Sequence, residues 1–341
     1  MDFSALYKNE KTRERLSNAL RAGTLSHAYI LNGKAGSGKH TLALSVTAAL
    51  NCESQGAASL PCMRCTTCQR IFKGQFTDLK VLSLQGAKAS IGVDEVRLMR
   101  EDMFLSASES DYKAYIFEDA DKLTVQAQNA LLKVLEEPIN KTVIFLLCES
   151  PDKLLTTIRS RAPMITMEYL STDAIDHYLM DNNEAARTLK LGDPDGYREV
   201  LMHADGAIGA AARALSPERM RELRRTYEDV KDLVLSFGAR TPYANMLSEM
   251  SSLPSKRQEF TELMNEVLLA LRDLITYKRC ESVQPLFFLD ATDLERIAGE
   301  FTLTRLLFIF DLITDAVQKA AQNANMTALT SLLAAKLKHN S

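Results

Sequence analysis

The stretch that decides the fold is Ala28-Tyr29-Ile30-Leu31-Asn32-Gly33-Lys34-Ala35-Gly36-Ser37-Gly38-Lys39-His40-Thr41. An apolar run over 28–31 reads as a strand, G-x-x-x-x-G-K follows it, and a helical pattern covers 41–50. In that setting Gly33, Gly36 and Gly38, with Ser37 among them, let backbone N–H groups turn inward around phosphate oxygens. The helix start adds its positive dipole, and Lys39 reaches the outer phosphates. A glycine-rich turn without function is the weaker reading, because both flanks are the ones a phosphate loop requires. One position departs. His40 stands where a Ser or Thr hydroxyl would hold Mg²⁺. Thr41 comes one place later, and a helical step of about 100° turns it elsewhere. Phosphate binding survives this change, but metal placement and hydrolysis do not follow from it. The expectation for ATP with Mg²⁺ is weak or no binding and negligible turnover.

Outward from this stretch, apolar runs over 79–82, 114–117 and 142–147 read as further strands. Helical patterns cover 93–103 and 123–137, the last closed by Pro138. Strand–helix alternation predicts an α/β region with a parallel sheet and helices on both faces. All but the second strand are nearly continuous apolar runs, as in strands covered on both sides. The strand at 114–117 runs into Glu118-Asp119. Next to a phosphate loop such a strand end delivers an Asp to Mg²⁺ and a Glu to the attacking water. Here the order is reversed, and a displacement of about 1 Å can cost much of the rate. The carboxylates read as a degenerate site, with a plain helix cap as the alternative.

After residue 170 strand signals fade. Short helices with loops near Asn182 and over 192–196 are expected up to 204, then a break at 205–217. Long helices are predicted over 218–237, 257–277, 293–298 and 303–338. The low glycine and proline content, 14 and 9 in 341 residues, favours such helices. The chain divides on this reading into 1–170, 171–215 and 216–341, which suits its length for two or three domains.

Six cysteines need explaining, and four of them cluster: Cys52, then Cys62-x-x-Cys65-x-x-Cys68. The short spacings wrap a backbone around one tetrahedral ion, and four thiolates close its shell, so the segment 52–68 reads as a structural Zn²⁺ knuckle. An Fe–S cluster and unmetallated buried thiols are the alternatives. Against the first, the adjacent Pro and second cysteine set of ferredoxins are missing. Cys148 and Cys280 read as packed small hydrophobes.

Composition excludes several classes. With 46% hydrophobic and 25% charged residues the chain is of the globular type. Forty-one Lys plus Arg against 44 Asp plus Glu, a net charge of -3, leave no protein-wide basic surface for nucleic acid. Around the cysteines only Arg64, Arg70 and Lys73 oppose Glu53, too little for a zinc-dependent nucleic-acid module. No run of 18 apolar residues marks a membrane span. Residues 1–4 lack the basic and apolar regions of a signal peptide, and the expected location is cytoplasmic.

Taken together, the chain resembles the clamp-loader ATPases of bacterial replication, within the AAA+ group. The resemblance rests on Ser26-His27-Ala28-Tyr29, the phosphate loop, and the four-cysteine knuckle. It extends through residues 112–121, Gln128-Asn129-Ala130-Leu131-Leu132-Lys133-Val134-Leu135-Glu136-Glu137-Pro138 and Thr157-Ile158-Arg159-Ser160-Arg161. It implies an AAA+ P-loop domain, a small helical lid and a C-terminal helical collar. It also implies a five-subunit ring with gamma/tau and delta partners, which acts on the sliding clamp and primer-template DNA as part of the DNA polymerase III holoenzyme. A lid arginine is expected in the family where Gly209 stands here. That change, His40, the Glu118-Asp119 order and the lack of a long Pro-rich or charged tail after 338 resemble the delta-prime, stator-like branch. A gamma/tau-like motor is the alternative. Ser160-Arg161 is similar to the family's Ser-Arg-Cys, with Ala162 for the Cys. The resemblance therefore implies that Arg161 is an arginine finger acting in trans. On pattern alone an ordinary surface arginine is an equally good reading, and Arg159 is the neighbour to be told apart from it.

Overall fold

The computed structural model describes residues 3, 5–54, 59–84, 86, 88, 90–137, 139, 141–238, 242–280, 285–288, 290–322 and 324–339. Pro138 and residues 1, 2 and 4, named above, lie outside them. The chain forms two compact units, 1–192 with 203–213, and 193–202 with 214–341.

The first unit begins with α1 (Glu10–Arg21), β1 (Ala28–Asn32) and α2 (Lys39–Leu50). There follow α3 (Thr66–Phe72), β2 (Leu79–Leu82), α4 (Val93–Met103) and β3 (Lys113–Phe117). Then come α5 (Val125–Glu136), β4 (Thr142–Cys148), α6 (Thr156–Arg159) and β5 (Met164–Thr166). Helices α7 (Thr172–Asn182) and α8 (Glu184–Gly192) complete its contiguous part.

All five strands are parallel, in the order β2-β3-β4-β1-β5. Side chains alternate between the faces of each strand. Tyr29, Leu31, Ile116, Phe145 and Leu147 therefore pack on one face with α2 and the cysteine segment. Ile30, Tyr115, Phe117, Ile144 and Leu146 pack on the other with α4 and α5. Burying each such side chain stabilises by about 1.5–3 kcal/mol. That double burial accounts for the unbroken apolar runs of β1, β3 and β4. β2 is an edge strand and only half covered, which accounts for its mixed sequence. β5, α1 and α3 go beyond the sequence expectations. β5 has three residues, one of them buried, too few to register as a pattern.

The second unit is helical: α9 (Pro194–Met202), α11 (Pro217–Ser236), α12 (Tyr243–Ser252), α13 (Arg257–Arg279), α14 (Ala291–Gly299), α15 (Leu303–Ala321) and α16 (Met326–His339). Helix α10 (Ile208–Ala214) belongs to the first unit through Arg213. Phe260, Met264, Leu271, Ile297, Leu306 and Ile313 are among the buried residues of the second unit's single core. Two expectations are corrected here. The pattern over 303–338 is two helices, because Asn325 accepts the N–H of Ala328 at 3.1 Å and so starts a new one. The loop expected over 192–196 is shorter, since Gly196 lies inside α9.

Candidate nucleotide cleft and cysteine knuckle

In a parallel sheet every strand presents its C-terminal end to the same edge, where ligands gather. The loop between β1 and α2 lies on that edge. Gly36 and Gly38 have φ of +82° and +94°, the left-handed region in which a Cβ is strained. Gly36 has a second constraint. A Cβ there would lie 2.6 Å from the Ala210 nitrogen, because the Gly209 N–H donates to the Gly36 carbonyl at 2.9 Å. Lys34 pairs with Asp205, and its ammonium lies 5.4 Å from the centre of the Tyr169 ring.

Lys39 is only 8% exposed. Its ammonium donates to the carbonyl of Lys34 at 2.9 Å and to that of Gly33. Burial holds its pKa below the usual lysine value, partly opposed by the charges of Glu149, Cys148, Asp121 and Asp119. Ser37 Oγ is buried and has no hydrogen-bond partner among the described residues, so it is free to meet a phosphate oxygen.

The loop, with Ser37, Lys39, His40 and Thr41, lines a cleft of about 640 Å³. Glu118, Asp119 and Glu149 share its wall. His40 Nδ1 lies 2.8 Å from Glu118 Oε1, an ion-pair distance without the alignment of a hydrogen bond. Asp119 is turned elsewhere: it accepts the Leu84 N–H at 3.3 Å and pairs with Lys122 at 3.2 Å. It stands at the start of a short 3-10 turn, Ala120–Lys122, but its side chain does not cap it. An imidazole–carboxylate contact thus replaces the hydroxyl–carboxylate pair that places Mg²⁺ beside a phosphate loop. The residues present fit a phosphate group, and they do not fit that metal.

Tyr7, Tyr178 and Arg213 also line the cleft and escaped the sequence reading. Tyr7 and Tyr178 meet edge to face at 5.0 Å. No motif marks either tyrosine. Arg213 could have been found as the residue one helical turn after Gly209.

The cysteines converge beyond the other end of α2. The Sγ atoms of Cys52, Cys62, Cys65 and Cys68 all lie within 4.8 Å of one another. Four thiolates about 2.3 Å from one tetrahedral ion would stand roughly 3.8 Å apart, so small shifts close the shell. Met63, at φ +60°, makes the tight turn between Cys62 and Cys65. The Cys65 N–H donates to Cys62 Sγ at 3.3 Å, and the Cys68 N–H to Cys65 Sγ at 3.4 Å. Backbone N–H groups of Arg64 and Cys65 draw the Cys62 thiol down to about 6. Burial pushes Cys68 and Cys52 the other way. The donor set fits a soft ion.

Of the remaining cysteines, Cys148 is buried in β4, and burial pushes its thiol up to about 12. Cys280 is exposed at the end of α13, which corrects its reading as a packed hydrophobe.

Arg161 lies just past α6. Its guanidinium pairs with Glu136 at 2.8 Å and donates to the Thr157 carbonyl at 2.9 Å. Arg159 faces Asp152 instead, at 3.0 Å. Arg161 precedes β5, whose Met164 is in register with Ile30 of β1, whereas the phosphate loop follows β1. The two therefore lie at opposite edges of the sheet, roughly 15–20 Å apart along the strands.

A phosphate loop on a five-stranded parallel sheet, followed by helices, defines the fold class: a P-loop α/β fold of AAA+ type. The family described as DNA polymerase III, delta subunit, matches residues 8–171. The DNA polymerase III subunit delta' of Bacillus subtilis is 35% identical over 176 residues, 52% of each chain. Subunit gamma of Buchnera aphidicola is 30% identical over 258 residues, 74% of this chain and 63% of the relative. Subunit tau of Bacillus subtilis is 27% identical over 309 residues, 83% of this chain and 54% of the relative. The chain thus spans about half to under two thirds of the length of these curated relatives. Over these stretches the chain is similar to subunits of the DNA polymerase III clamp loader.

Among the described residues no helix is long and apolar enough to cross a membrane.

Proposed function

We propose that the chain is a delta-prime-type subunit of a bacterial DNA polymerase III clamp loader. In this reading it helps place the sliding clamp on primed DNA, completes a neighbour's ATP site with Arg161, and hydrolyses little or no ATP itself. Its partners are gamma/tau and delta subunits in a five-subunit ring, through which it meets the clamp and primer-template DNA in the cytoplasm. Residues 1–170 serve as the AAA+ domain, 171–215 as the lid and 216–341 as the collar that holds the ring. Cys52, Cys62, Cys65 and Cys68 hold a structural Zn²⁺. The loop from Gly33 to Thr41 holds nucleotide phosphates weakly.

The observation that carries this reading is positional. Arg161 and the chain's own phosphate loop stand at opposite edges of one parallel sheet. An arginine there cannot reach the chain's own nucleotide, so any phosphate it meets belongs to another subunit. An arginine finger supplied in trans neutralises charge at the γ-phosphate and can accelerate hydrolysis by about 10³ or more.

The test is Arg161→Ala in a reconstituted loader. Folding and ring assembly should persist, and the ATP site that borrows this arginine should fall silent. The loss would be read as a drop in steady-state ATPase. A normal rate would remove the finger assignment.

A further inference from the structure

The nucleotide cleft has an unusual charge balance. Glu118, Asp119 and Glu149 stand on its wall. The fixed cations lining it are Lys39 and Arg213. Lys39 is held by carbonyls of its own loop. Arg213 is exposed, and among the described residues it makes no hydrogen bond or ion pair. With Asp119 paired to Lys122, a polyphosphate entering the cleft would still face Glu118 and Glu149 with Lys39 as the loop's one cation. A second cation changes that balance.

The seating of α10 places this cation. Gly209 rests on the phosphate loop, and a Cβ added there would lie 2.8 Å from the Gly36 Cα. No larger side chain fits at that point without lifting the helix. Arg213 follows four residues later, on the same face and about 6 Å further along the axis. Long helical side chains lean toward the helix N-terminus and cover the preceding turn. That tendency would carry Arg213 back toward the glycine contact, in keeping with its place in the lining of the same cleft.

We infer that Arg213 is a nucleotide-contacting residue, whose guanidinium pairs with the outer phosphates of a nucleoside di- or triphosphate held in the phosphate loop. This rests on the nucleotide reading of that loop. Arginine suits the role because its planar fork can meet two phosphate oxygens at once.

The test is calorimetric titration of the full chain with ATP, ADP and AMP up to millimolar concentration. It compares the natural sequence with Arg213→Gln, Arg213→Lys and, as a control for the loop, Lys39→Ala. Arg213→Gln should weaken ATP and ADP about tenfold or more and AMP by less than twofold, the size expected for one charge-assisted contact. Arg213→Lys should recover part of that loss, and added salt should shrink it. Two results overturn the assignment while leaving the nucleotide site standing. One is an unchanged ATP affinity in Arg213→Gln while Lys39→Ala weakens it. The other is an equal loss for AMP. If the natural chain binds none of the three nucleotides, the nucleotide reading falls and the assignment with it.

Discussion

The two edges of the parallel sheet are built to different standards. At the carboxyl edge, a phosphate loop of the right shape faces His40 and a reversed Glu118-Asp119 pair, and His40 already contacts Glu118. At the amino edge α2 ends at the four thiols, which converge as a full ligand set. Arg161 sits at the same edge with its own carboxylate partner. Both edges draw on the same strands and α2, so the backbone is not what separates them. The difference lies in side chains: His40 stands at one edge where a phosphate loop would carry a hydroxyl, and four thiols converge at the other. A change of side chain at one edge need not disturb the other, because the layers between them are apolar packing.

The largest expected effect tests the complete edge. Cys68 is buried in the core on the α2 face. Cys68→Ser, or removal of the metal by a strong chelator, should destabilise the first unit by about 4 kcal/mol or more. That corresponds to a fall in its melting temperature of roughly 10 °C. A thermal melt beside a zinc release assay checks it. A melt indifferent to chelator, with no zinc released, would make the two edges equally incomplete.

The incomplete edge allows a smaller test. His40→Thr restores the hydroxyl that the loop lacks. It should tighten Mg²⁺-dependent ATP binding by about three- to tenfold, the size of one added polar contact. Turnover should stay negligible, because the Glu118-Asp119 order is still reversed. Nucleotide titration and steady-state phosphate release measure the two parts separately. Turnover within the ordinary enzyme range, about 1–10³ s⁻¹, would place this edge one residue from a working motor.

How much of this was legible depended on burial and on spacing. β1, β3 and β4 were legible because both faces are covered, which makes the apolar runs continuous. β5 was not, since two of its three residues are exposed. The two-helix structure of 303–338 was hidden because no glycine or proline marks the break. Asn325, a helix-capping residue, was the signal to weigh. The phosphate loop and the thiols could be assigned because each motif lies within a few residues. Tyr7 and Tyr178 reach the cleft from segments remote in sequence, and no local spacing announces them, whereas Arg213 is marked only by its place one helical turn after Gly209. The close seating of Gly209 on Gly36 belongs to the same class, a contact across 173 residues.

The smallest expected effect concerns Glu136, the partner of Arg161. The two side chains are 46% and 35% exposed, so water screens the pair and it contributes about 0–1 kcal/mol to folding. Glu136→Gln should leave the melting temperature nearly unchanged. The guanidinium keeps its contacts with the Thr157 carbonyl and Ser160 Oγ, so its orientation should persist. What changes is its charge, which a carboxylate no longer masks. A neighbouring ATP site that borrows Arg161 should then bind ATP slightly tighter, by up to about fivefold, since removing a screened pair of this kind releases at most about 1 kcal/mol. The gain should fade as salt rises, because exposed charges are screened over about 10 Å at 0.1 M. The ATP concentration for half-maximal ATPase of the reconstituted loader, measured at two salt concentrations, reads this effect. A tenfold loss instead would mean that Glu136 aims the arginine rather than masking it, and the amino edge would then hold a two-residue device in place of a single finger.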